Sequence, residues 1–180
     1  MIGRRFVSLL ALLACAALIS CEEKIKPTVL HGVDSQSLPQ QESWNSKIVL
    51  SDSGNVKAII YAGYVRVYQT PAETQLSEGI VVHFYDADGQ ESSVLTAEAG
   101  KVDDNTKNLE AYRNVVVTSP DSTHLRTQKL YWDNRRQLIH TPEFVRINSP
   151  KERLQGYGLE SDQYLRRYKI FRVSGEAVSQ

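Results

Sequence analysis

The chain has 180 residues, with 21 basic and 21 acidic side chains, four histidines and two cysteines. That length fits one domain plus a targeting segment, and the balanced charge argues against a nucleic-acid partner, which calls for a basic excess or stripe. Both cysteines, Cys15 and Cys21, sit near the N-terminus, which leaves the remainder without a disulfide framework or a cysteine metal site.

Arg4 and Arg5 open a short basic region, residues 6–19 are predominantly apolar, and Ser20 and Cys21 follow. An apolar run of that length falls short of the roughly 20 residues that cross a bilayer as a helix, so it reads as an export signal, residues 1–20. Leu18-Ile19-Ser20-Cys21 resembles the bacterial lipobox, which implies cleavage between Ser20 and Cys21 and a diacylglycerol on the Cys21 thiol. Each buried methylene contributes about 0.8 kcal/mol, so two or three acyl chains hold a domain on a membrane without a spanning helix. Loss of Arg4 and Arg5 leaves 19 basic and 21 acidic residues, a net charge of −2, and nothing in that balance draws the domain flat onto anionic lipid. Residues 21–47 contain Pro27, Pro39 and the stretch SQSLPQQES, a composition that suits a tether. A flexible coil of this kind reaches about 25 Å.

Residues 48–180 read almost throughout as short strands separated by turns. KAIIYA meets Gly63, YVRVY alternates up to Thr70-Pro71, and IVVHFY runs into Asp86-Ala87-Asp88-Gly89, a hairpin turn with a glycine for positive φ. Outside the signal no window sustains a helical stripe. The segment 163–170 fits either element, and strand is preferred.

The strongest signal is a repeat. Residues 95–117 (LTAEAGKVDDNTKNLEAYRNVVV) fall on residues 125–147 (LRTQKLYWDNRRQLIHTPEFVRI) without a gap, with Asp103-Asp104 on Asp133-Asn134 at the turn. The inward positions are 95, 97, 100 and 102 before the turn and 109, 111, 115 and 117 after it, and both sets recur 30 residues later. The odd step between 97 and 100, repeated between Thr127 and Leu130, predicts a bulge or corner at one point in both units. Charged residues lie between the inward ones, so one face is apolar and the other wet. A looser third copy places Leu154, Gly156, Leu159 and Asp162 on Leu125, Thr127, Leu130 and Asp133. Hairpins of this kind bury their apolar face by folding over as two sheets or a curled roll.

No catalytic or metal constellation accompanies these strands, and no cofactor is expected. His31, His83, His124 and His140 are scattered, without a His-x-x-x-His pair or a nucleophile elbow. Asp86, Asp88 and Gly89 resemble half of a calcium loop, but the other ligands are missing. Asp103-Asp104 occupies a turn, for which turn propensity suffices.

With the lipobox, the 30-residue repeat, Leu130-Tyr131-Trp132-Asp133 and Gly156-Tyr157-Gly158-Leu159 together, the chain resembles the LptC family over about residues 48–175. Well-known members of that family carry an uncleaved transmembrane helix, whereas this chain reads as a lipoprotein variant. The resemblance implies an all-β, OstA-like β-jellyroll with open edge strands, and a non-enzymatic role. Its partners are then lipopolysaccharide, an inner-membrane ABC transporter that supplies it, and an LptA-like bridge protein that takes it on by edge-strand pairing. The implied location is the periplasm, lipid-anchored at the inner membrane. Under that reading the acyl-binding wall comprises Val102, Leu109, Val115, Val117, Leu130, Trp132, Ile139, Val145 and Ile147. The same periodicity fits a filled, closed core. Tyr61, Tyr64 and Tyr68 suit a mouth where rings meet lipid and water, although strand propensity alone also explains them. A different class of function is a lipid-anchored envelope scaffold or polysaccharide-binding β lipoprotein.

Overall fold

A computed structural model of the chain describes residues 38–174; the signal segment, Cys21 and the first part of the tether lie outside the described residues. Ten strands follow one another: β1 (Gln41–Asp52), β2 (Asn55–Gln69), β3 (Ala72–Tyr85), β4 (Glu91–Ala97), β5 (Ala99–Asp103), β6 (Leu109–Thr118), β7 (His124–Asp133), β8 (Leu138–Asn148), β9 (Arg153–Asp162) and β10 (Tyr168–Val173). They form one antiparallel sheet in the order β1-β2-β3-β4-β6-β7-β8-β9-β10, with β5 between β3 and β6. The all-β architecture expected from the strand pattern is present, and it is consistent with the jellyroll-like form that the resemblance implies. Strand β1 starts at Gln41, inside the stretch whose composition reads as tether. Gln41 faces Val67 and Ser43 faces Val65, so pairing with a neighbour overrides weak local propensity. Of the ambiguous segment, 163–167 is a turn and only Tyr168 onward is strand.

A line of irregularities crosses the sheet at right angles to its strands. Register slips between Ala62 and Tyr64 in the β2–β3 pairing, between Tyr112 and Val115 in β6–β7, between Arg126 and Tyr131 in β7–β8 and between Thr141 and Phe144 in β8–β9. Glu98 separates β4 from β5 on the same line, with its N–H donating to the Arg113 carbonyl at 3.1 Å. Asn45, Glu78, Gly79, Arg113, Asn114 and Gly158, all along this line, have positive φ. The odd step read between residues 97 and 100 is this crease, and its repetition thirty residues on is the same crease meeting β7. Folding along it turns one long sheet into two layers. One layer ends in the β1–β2, β3–β4, β6–β7 and β8–β9 turns, and the other in the β2–β3, β5–β6, β7–β8 and β9–β10 turns.

The crease brings backbones very close. A Cβ on Gly63 would sit 2.5 Å from the Glu78 carbonyl oxygen, and one on Gly156 would sit 2.7 Å from Ile170 Cγ2 and nearer still to the Arg172 carbonyl. Side chains that alternate inward along each strand then meet between the layers. Phe84 and Trp132 belong to strands that are not neighbours in the sheet, yet their rings lie 4.9 Å apart, so this contact joins one layer to the other.

The repeat also has a local cause. Asp103 Oδ1 accepts from the N–H groups of Asn105 and Thr106 at 2.9 and 2.7 Å. Asp133 accepts from Arg136 N–H at 2.9 Å, and Asp162 from Tyr164 and Arg166 N–H at 3.1 and 3.0 Å. One carboxylate organises the turn in each of the three copies. At the sheet's two ends, no described strand pairs with the outer side of β1 or of β10. Substituting Gly156→Ala forces β9 and β10 apart at the crease, with an expected cost of about 1–3 kcal/mol. A urea midpoint lowered in proportion supports this packing, and an unchanged midpoint contradicts it.

Candidate functional site

All nine residues of the expected wall face the interior, and none is more than 2% exposed. Val115, Val117, Val145 and Ile147 come from one layer, and Val102, Leu109, Leu130, Trp132 and Ile139 from the other; all belong to a single apolar cluster. The site is therefore the seam between the layers, closed and filled by its own side chains in this structure. Trp132 is the largest fully buried side chain, and its indole N–H has no acceptor among the described residues. An unmade buried hydrogen bond of that kind costs about 1–3 kcal/mol.

Opposite the crease the turns of the two layers face one another, and the β9–β10 turn reaches across. Tyr164 donates its hydroxyl to Asp86 Oδ2 at 2.7 Å, and Gln163 Nε2 donates to the Tyr85 carbonyl at 3.3 Å. At the start of β10, the Tyr168 hydroxyl donates to Glu152 in the β8–β9 turn. Leu165, between these contacts, is 1% exposed at φ 56°, so the turn inserts an apolar plug as well as polar ties. Asp162 holds the turn rigid through its bonds to Tyr164, Arg166 and Arg167 N–H. Beside this clasp a cleft of about 1030 Å³ opens between the layers, lined by Thr123, Ser149 and Glu152 on one side and Leu138, Leu165 and Tyr168 on the other.

The clasp is electrostatically tuned. The Tyr164 hydroxyl, and then the N–H of Gln90, hold the Asp86 carboxyl below the usual aspartate range. Burial first, and the Asp86 carboxylate second, push the Tyr164 phenol up. Burial and then Glu152 do the same to Tyr168. A carboxyl with a depressed folded-state pKa contributes its stabilisation fully above the unfolded value, about 3.9 for aspartate, and loses it as pH falls through the folded value. Removing the hydroxyl with Tyr164→Phe raises the Asp86 midpoint, as read by NMR titration of its carboxyl carbon. An unmoved midpoint contradicts the clasp.

The other candidate residues lie elsewhere. Alternation puts Tyr61, Tyr64 and Tyr68 on the outer face of β2, where Tyr64 packs on Trp44 at 5.2 Å and Tyr61 meets His83 edge-on at 5.9 Å. Three histidines serve local contacts: His83 with Glu91 at 2.6 Å, His124 with Thr118 at 3.1 Å and His140 stacked on Tyr131 at 5.2 Å. His31 is outside the described residues. No cluster of metal-ligating side chains occurs among the described residues. The sequence reading missed Leu165 and the clasp, because a single apolar residue at positive φ between Tyr164 and Arg166 has no periodicity. The available signal was Asp162, aligned with two turn-forming aspartates.

The family model described as lipopolysaccharide-assembly, LptC-related, matches residues 9–174, which takes in the whole folded sheet and most of what precedes it. No curated protein matches the chain with significance. Members of the matching family act in lipopolysaccharide transport, facing the periplasm at the inner membrane. An apolar seam inside an open-edged, creased sheet agrees with that match: the chain belongs to the LptC-related family of lipopolysaccharide-assembly proteins.

Proposed function

We propose that the chain is a lipoprotein form of the LptC type that accepts lipopolysaccharide from an inner-membrane ABC transporter and passes it along a β-jellyroll bridge towards the outer membrane. Residues 1–20 are the signal, Cys21 carries the lipid, residues 21–47 contain the tether, and the domain comprises 48–180 together with the first part of β1 from Gln41. The acyl chains occupy the seam walled by Val102, Leu109, Val115, Val117, Leu130, Trp132, Ile139, Val145 and Ile147.

One observation carries the reading: the apolar residues of both layers meet in a seam whose mouth is held by a single turn. The three clasp hydrogen bonds together contribute about 2–5 kcal/mol net, and the methylenes of an entering acyl chain replace the apolar contacts that the layers make with each other. An ester carbonyl entering beside Trp132 supplies the acceptor its N–H lacks. The unpaired outer sides of β1 and β10 suit strand-to-strand pairing with neighbouring jellyrolls, and both carry exposed apolar residues, Trp44 and Val49 on β1 and Phe171 and Val173 on β10.

Photo-crosslinking side chains at Val102, Val117, Leu130 and Ile147 in living cells are expected to capture lipopolysaccharide. Joining Asp86→Cys to Tyr164→Cys with a short bismaleimide is expected to abolish the capture, and no adduct at any of the four positions rejects the seam. Depletion is expected to accumulate lipopolysaccharide at the inner membrane, which an envelope scaffold does not do. For the anchor, mass spectrometry of the mature N-terminal peptide is expected to show an acylated Cys21 as residue one. An intact, unmodified signal segment overturns that assignment without touching the seam.

A further inference from the structure

Net charge conceals how the basic residues are distributed. Arg126 on β7 lies directly opposite Arg146 on β8, and like charges facing each other across an antiparallel pair are unfavourable. Both side chains are exposed, with their inward-facing neighbours Leu125, Val145 and Ile147 buried, so both guanidinium groups project from the outer face. Further along this face, Phe144 packs edge-on to Tyr157 at 5.1 Å, with Arg146 over the Phe144 ring at 5.4 Å and Arg172 of β10 over the Tyr157 ring at 5.6 Å. No carboxylate lies within ion-pair distance of Arg126, Arg146 or Arg172 among the described residues. Glu143, which lines the same shallow pit of about 270 Å³ as Arg126, Arg146 and Phe144, pairs with none of them.

Three guanidinium groups on one sheet face, two of them stacked on aromatic rings, have their N–H edges free for anions. We infer that this face, Arg126–Arg146–Arg172 with Phe144 and Tyr157, docks the domain on an anionic phospholipid surface. At about 270 Å³ the pit falls below the roughly 300–1,000 Å³ of small-molecule sites, and arginine interleaved with aromatic rings suits the headgroup region of a bilayer. The inference rests on the family's membrane association and stands apart from the acyl seam. The contact adds a second, weaker attachment to the N-terminal one.

The test uses the full chain carrying Gln155→Cys, an exposed position opposite Arg146, reconstituted in vesicles. One set contains phosphatidylethanolamine and phosphatidylglycerol, the other phosphatidylethanolamine and phosphatidylcholine. Labelling by an impermeant maleimide is read on the peptide containing residue 155. Each arginine near an anionic surface strengthens partitioning about fivefold, so labelling is expected to slow roughly tenfold or more with phosphatidylglycerol. Protection is expected to vanish in R126Q/R146Q/R172Q and to persist in R126K/R146K/R172K, which separates lost charge from lost folding. Equal labelling in both vesicles overturns the inference, as does protection that survives in the glutamine variant. Protection by soluble glucosamine phosphate in the neutral vesicles reassigns the face to a phosphorylated sugar and overturns it equally.

Discussion

A long antiparallel sheet with one apolar face has to hide that face, and here a single crease does so. The line from Asn45 through Gly63, Glu78-Gly79, Glu98 and Arg113-Asn114 to Gly158 interrupts the pairing at corresponding points in successive strands. Each interruption costs ladder hydrogen bonds and tolerates strained φ at Glu78, Arg113 and Asn114. The return is the burial of Phe84, Trp132 and the valines and leucines that flank them. Creasing, unlike closing into a barrel, leaves β1 and β10 unpaired at the ends and a mouth along the side opposite the fold.

That geometry explains why the mouth needs a fastening. The two layers are continuous at the crease and, at the other side, touch through side chains and the β9–β10 turn. Tyr164, Gln163 and Tyr168 each bond to a group in the opposite layer, and Leu165 fills the gap beneath them. The fastening consists of a few modest interactions on a turn, in contrast to the dense packing at the crease. Of the two sides, the mouth is held by the fewer interactions, which is why the proposed opening lies there. Family membership places the chain in lipopolysaccharide transport, and a seam continuous on one side and fastened by a turn on the other suits the proposed lipid carrier.

Much of this was legible in the residues. The apolar parity of 95–117 and 125–147 marks the inward face of β5, β6, β7 and β8 and of the end of β4, and the shared odd step marks the crease. Asp103, Asp133 and Asp162 marked three turns of one layer. What stayed hidden depended on partners distant in sequence. Asp86 and Tyr164 are 78 residues apart, and neither looks special alone. Tyr61 and Tyr64 were placed by alternation only once Gly63 was known to slip the register, which puts both on the outer face. The opposed arginines 126 and 146 were invisible for a related reason, because a neutral total says nothing about which side of a sheet the charges occupy.

Under the proposed function the layers part at the mouth to admit acyl chains while the crease stays fixed. Pulsed electron–electron distance measurement between spin labels on Asp88 and Arg166, which sit on the turns flanking the clasp, tests it most directly. With lipopolysaccharide bound, the distance is expected to lengthen and broaden, while a second pair set along the crease, at Ser77 and Gln128, keeps its distance. Saturating lipopolysaccharide that leaves the Asp88–Arg166 distance unchanged contradicts the account.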